Sequence, residues 1–137
     1  MNGRNFFDSN VLVYSDDKGN PEKQAVALEI LEQGRLTRKG VVSTQVLQEY
    51  FVSVIRKLSV PTETARRKVE LFSRFDLVTN QLEDILAAID LQRLHQTSFW
   101  DALIIRAALR SNCSRLYSED LQSGRRINGL EIVNPFA

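Results

Sequence analysis

Four carboxylates in this sequence stand where an α/β fold could use them for chemistry. Asp8 follows "RNFF", Glu49 lies in "TQVLQEYF", Asp101 opens "WDALIIRAALRSN", and Asp120 sits in "RLYSED". In open parallel sheets, sites form beyond the carboxyl ends of the strands, and all four acids fall near such positions. Like charges brought to ~4 Å repel by about 4 kcal/mol at an effective dielectric near 20. A group of this kind must therefore share protons or balance a cation. An all-oxygen donor set suits Mg²⁺ or Mn²⁺. His95 is the only histidine and Cys113 the only cysteine, so no zinc cluster competes. His95 is expected at a helix C-terminus rather than in catalysis.

Each acid also has a plainer local use. Asp8 can cap a short helix, Glu49 can be a solvated helix residue, and Asp120 can be a turn residue beside Glu119. Ser98 and Asp101 form an S-x-x-D pattern that can cap their own helix. Asp101 is tolerated at the head of an apolar helix because a helix start carries partial positive charge. The joint placement, more than any single acid, points to metal chemistry.

The elements that must carry these residues follow from periodicity. "RNFFD" (4–8), "GVVS" (40–43), "FDLVT" (75–79), "RLYS" (115–118) and "GLEIVNP" (129–135) are expected as five strands. Between them lie helical patterns: a short one after Asp8, then 21–34 with Gly34 as its stop. Another starts from a Thr44 cap, and further ones cover about 62–74, 81–95 and from Ser98 onward. Alternating strands and helices predict an α/β class with a mainly parallel five-stranded sheet and helices on both faces. No Asn-Gly or Asp-Gly turn is read between adjacent strands, so no antiparallel meander is expected after the first strand.

At 137 residues the chain is expected to be a single domain over 1–137. It bears 18 basic and 17 acidic residues, which excludes a uniformly basic nucleic-acid binder but not a local patch. The start lacks the unbroken apolar core of a signal peptide, and no run approaches the ~20 apolar residues needed to cross a bilayer. A single cysteine fits a reducing compartment. The expectation is a cytoplasmic protein with no membrane contact.

"FFDSNVLVY", "SFWDALIIRAA", "LYSEDLQSG" and "GLEIVNPF" together resemble the PIN-domain family, most closely its VapC-type ribonuclease toxin branch. The likeness runs in order over nearly the whole chain. It implies a three-layer α/β/α sandwich and Mg²⁺- or Mn²⁺-dependent cleavage of RNA. By position, Asp8, Asp101 and Asp120 match the family's metal ligands, and Glu49 matches the acid on the helix after the second strand. Ser9, Asn10 and Ser118 match residues that shape the site by hydrogen bonding, and Ser98 fixes Asp101. Glu119 is a possible substitute for Asp120. On this reading Asp8 and Asp101 hold the ion, while Asp120 and Glu49 complete its shell or orient its waters.

RNA also needs positive charge. Arg125 and Arg126 after Asp120, with Arg106 and Arg110 on the late helix, are the candidates, against the alternative of solvated surface charges. The resemblance implies transfer or ribosomal RNA as substrate, a cognate antitoxin and a homodimer. Tyr50, Phe51, Val54, Leu58, Leu71 and Phe72 could line the antitoxin groove, unless they are core. Rival readings are a ribonuclease-H-like nuclease, a phospho-acceptor receiver domain, a non-toxin structure-specific nuclease and an inactive PIN-type binding domain. The first expects an antiparallel hairpin after strand one. The second expects a lysine after the last strands, and none lies beyond Lys68.

Overall fold

The computed structural model describes residues 3–137. The elements run β1 (Arg4–Phe7), α1 (Ser9–Tyr14), α2 (Pro21–Thr37), β2 (Gly40–Ser43), α3 (Thr44–Leu58), α4 (Thr62–Phe72) and β3 (Asp76–Val78). They continue α5 (Leu82–His95), α6 (Phe99–Arg110), β4 (Cys113–Tyr117), β5 (Arg126–Ile127) and β6 (Leu130–Val133). One sheet forms in the order β3-β2-β1-β4-β6-β5. All its pairs are parallel except β5 with β6. Helices flank it in the expected α/β/α arrangement.

The sheet has six strands, not five. The extra one is β5, joined to β6 by Asn128 and Gly129, both at positive φ (50° and 88°). Positive φ at both central residues is what a tight hairpin turn requires, and Asn-Gly supplies it at low steric cost. This corrects the expectation that no Asn-Gly turn joins adjacent strands. The Asn-Gly lies in the sequence, but its upstream strand is only two residues long.

Two helix boundaries also differ. Ser43, not Thr44, caps α3, its hydroxyl accepting from Val46 N at 3.2 Å. Gly34 does not stop α2, which runs on to Thr37. A Cβ at Gly34 would lie 2.7 Å from Phe7 Cζ and 3.3 Å from Gly40 Cα. The glycine is there so that α2 can approach the sheet closely, an approach any side chain would block.

The core holds Phe6, Phe7, Val41, Val42, Leu116 and Ile132 from the strands, with Val11, Leu12, Ile104 and Ile105 from the helices. Tyr50 and Val54 are also fully buried in it, so the groove proposed from α3 and α4 residues is largely core. Only Leu71 of that set is exposed. Among the described residues, no helix is long and apolar enough to cross a membrane.

Candidate active site

Register explains why residues over a hundred positions apart meet. Phe7 of β1 pairs with Tyr117 of β4, so the residues that follow, Asp8 and Ser118, leave the sheet side by side. Asp8 N donates to Tyr117 O at 3.0 Å. Ser118 is fully buried, and its hydroxyl donates to Asp8 Oδ2 at 2.7 Å. Ser118 Oγ also accepts from Asp120 N (3.2 Å) and Leu121 N (3.3 Å), folding the loop after β4 around itself.

Asp8, Ser9 and Asn10 each reach a different part of the site. Asp8 caps α1, its Oδ1 accepting from Ser9 N at 2.7 Å. Ser9 Oγ donates to Glu49 Oε1 at 3.1 Å. Asn10 Nδ2 donates to Asp120 Oδ2 at 3.2 Å, and its Oδ1 accepts from Glu119 N at 3.1 Å. On α6, Ser98 Oγ accepts from Asp101 N at 3.0 Å, so the expected cap exists.

The electrostatics tie the four acids to one region. Burial pushes Asp8 from 3.8 up to about 6, opposed by the Ser118 and Ser9 hydrogen bonds and aided by the charges of Glu49 and Asp120. Burial also raises Asp101, the Ser98 hydroxyl opposing it and the Asp120 charge adding to it. Desolvation thus outweighs mutual repulsion, contrary to the expectation that crowding dominates. Among the described residues, no three acidic, histidine or cysteine side chains are gathered tightly enough to hold an ion by themselves. The donor set still fits Mg²⁺, which usually takes one or two carboxylates and keeps several waters.

Glu119 has another task. Lys23 Nζ and Tyr14 OH each donate to it at 2.6 Å. Burial raises its carboxyl, but Lys23 and Tyr14 overcome this and hold it below the usual range. It anchors the Asp120 loop to α1 and α2.

A PIN domain model matches residues 6–127. This chain belongs to the PIN domain family. Solved structures share its fold. A chain of a toxin–antitoxin complex from Klebsiella pneumoniae superposes with TM-score 0.70 at 18% identity, covering 95% of this chain and 96% of that one. Mycobacterium tuberculosis VapC20, a sarcin–ricin loop cleaving toxin, gives 0.68 at 15% identity, covering 85% and 89%. VapBC2 from Rickettsia felis, bound to a DNA fragment from its promoter, gives 0.64 at 20% identity, covering 93% and 96%. No curated protein sequence matches the chain.

Within this PIN domain the arginines divide. Arg106 Nε and Arg110 Nε lie 2.9 and 3.1 Å from Asp84 Oδ1, a carboxylate almost wholly buried at the head of α5. Burial pushes Asp84 up, but the Gln81 N–H and the two guanidiniums pull it below the usual range. Both arginines are structural partners there. Arg125 donates to His95 O at 3.3 Å. Arg126 is highly exposed, 3.8 Å from Glu131.

Sequence reasoning missed Gln45. Its Nε2 donates to Glu49 Oε2 (3.0 Å) and to Trp100 O (3.2 Å), linking α3 to the start of α6. The i,i+4 spacing to Glu49 was the available signal. Lys23 and Tyr14 were missed because nothing in the sequence points to partners 96 and 105 residues away.

The PIN domain should show the Asp8 shift in its stability. Asp8 binds its proton more tightly folded than unfolded. Without metal, its contribution therefore falls as pH rises from about 4 through about 6. About two units correspond to roughly 3 kcal/mol. Asp8→Asn removes that penalty but weakens the Ser118 contact by about 1 kcal/mol. In chelator, Asp8→Asn should melt above wild type at pH 8 and lose that advantage by pH 4, as read by circular dichroism. Equal melting at pH 8 would remove burial as the source.

Proposed function

We propose that this PIN domain is a divalent-cation-dependent endoribonuclease, the toxin of a toxin–antitoxin pair working in the cytoplasm. The observation that carries the reading is the buried carboxylate of Asp8, sharing one region with Glu49, Asp101 and Asp120. An unpaired buried carboxylate is costly, and a bound cation offsets that cost.

Asp8 and Asp101 would hold Mg²⁺ or Mn²⁺, with Asp120 and Glu49 completing the shell or orienting its waters. Each Asp8 oxygen already accepts one hydrogen bond and keeps a lone pair for the ion. When bound, the cation lowers the pKa of a water and stabilises charge on the phosphodiester oxygens. Ser118 and Ser9 hold the carboxylates in place before substrate arrives, and Asn10 fixes the Asp120 loop. Of the four candidate arginines, Arg125 and Arg126 are the two not paired with Asp84, and they would contact the RNA backbone. Transfer RNA and ribosomal RNA both remain substrates of the proposal.

The partner is an antitoxin whose apolar segment lies in the groove between α2 and α4. That cavity of about 650 Å³ is lined by Leu28, Leu31, Leu71, Phe72 and Phe75, among others. The exposed row Leu82, Ile85, Leu86 and Ile89 on α5 suits a homodimer face. The kin noted above, a sarcin–ricin loop cleaving toxin and toxin–antitoxin complexes, support this assignment.

The test is metal removal. End-labelled RNA should be cut in Mg²⁺, spared in chelator, and cut again when excess Mg²⁺ is restored. Cleavage that persists in chelator would end the proposal. RNA binding without cleavage in Mg²⁺ would favour a binding module instead.

A further inference from the structure

Gln45 lies in the first turn of α3 and is 6% exposed. Both partners of its Nε2, the Glu49 carboxylate and the Trp100 carbonyl, can only accept. The amide orientation is therefore fixed, because a flip would set Oε1 against two oxygens. That leaves Oε1 buried with no donor. A buried carbonyl without a donor is uncommon and marks a place for a ligand or water. The buried and half-buried acids outside the site are already served. Asp84 has Arg106 and Arg110, Asp16 has Tyr50 and Lys68, and Glu119 has Lys23 and Tyr14. Among the described residues, Gln45 alone combines an unused acceptor with a contact to a site carboxylate.

Its position is also distinctive. It joins Glu49 on α3 to the backbone next to Asp101 on α6. Resting on the reading of a cation-dependent nuclease, we infer that Gln45 is a positioning residue with two roles. Its amide N–H groups lock Glu49 to the first turn of α6. Its carbonyl accepts a hydrogen bond from the hydration shell of the cation. A side-chain amide supplies two donors and an acceptor without a charge. A carboxylate at the same place would face the charge of Glu49.

Trp100 is the only tryptophan, and its carbonyl is the one Gln45 holds, so indole fluorescence reports on this seam. The experiment compares wild type, Gln45→Met and Asp8→Asn. It measures Mn²⁺ binding by Trp100 fluorescence and calorimetry, and RNA cleavage as kcat and KM. Gln45→Met should weaken Mn²⁺ binding about 10–100-fold, the range seen when outer-shell partners of metal ligands are lost. Its kcat should fall while KM for RNA holds. Gln45→Glu keeps an oxygen but loses the donor, and should not restore binding.

Wild-type Mn²⁺ affinity in Gln45→Met overturns the inference, whatever happens to cleavage. If Asp8→Asn also binds and cuts as wild type does, Asp8 is not a ligand; if wild type neither binds Mn²⁺ nor cuts RNA, the nuclease reading itself fails. Should Gln45→Met not fold, the wild-type protein decides by NMR. The Gln45 side-chain amide signals should move with Mg²⁺ on the same saturation curve as the Trp100 indole. Unmoved signals overturn the inference.

Discussion

Asp8→Asn should abolish metal-dependent RNA cleavage while leaving the chain folded. The fold is expected to survive because asparagine caps helices as well as aspartate does, so the bond from Ser9 N persists. The loss in activity is electrostatic. A bound cation supplies several kcal/mol of transition-state charge stabilisation. At about 1.4 kcal/mol per decade, losing it costs on the order of a thousandfold in kcat/KM. The same variant should gain stability without metal, because the buried charge is gone. Opposite movements of activity and melting temperature separate a functional carboxylate from a structural cap. Cleavage at the wild-type rate would remove Asp8 from the site.

Phe7→Ala should be the most damaging single core change. Phe7 is fully buried, with ring centroids 5.4 Å from Phe75 and 6.0 Å from Tyr117. Glycines at 34 and 40 leave the room its ring fills. Truncating a buried phenylalanine costs about 3–5 kcal/mol, a large part of the 5–15 kcal/mol typical of a domain. The melting temperature should fall by roughly 10–20 °C. The glycine cradle gives a second check. Gly34→Ala should destabilise wild type by pushing a methyl against the ring, and less so in a Phe7→Leu background. Additive effects in that cycle would contradict the contact.

Much of this molecule was legible in its sequence, where the signal was local. Asp-Ser-Asn after a strand, and Ser98 three residues before Asp101, fix their own neighbourhoods. What failed depended on distant partners or on phase. Gly34 looked like a helix stop because glycine often ends helices, but its reason is Phe7, far away in sequence. Ser43 and Thr44 are both able caps, and only the end of β2 chooses between them. The two-residue β5 is too short for any periodicity to announce. The pairing of Arg106 and Arg110 with Asp84, from another helix, has no signal in the sequence. Gln45 carried a readable spacing but no charge to draw notice.

The partnership of Asp8 with Ser118 spans 110 positions, and six helices lie in the chain between β1 and the strand that delivers Ser118. Such long-range pairing is assembled late, because its loop-closure cost precedes its reward. A growing polypeptide would carry Asp8 and Glu49 for most of its synthesis without the strand that completes the site. On the proposed reading, a ribonuclease would thus have no working centre until β4 has left the ribosome.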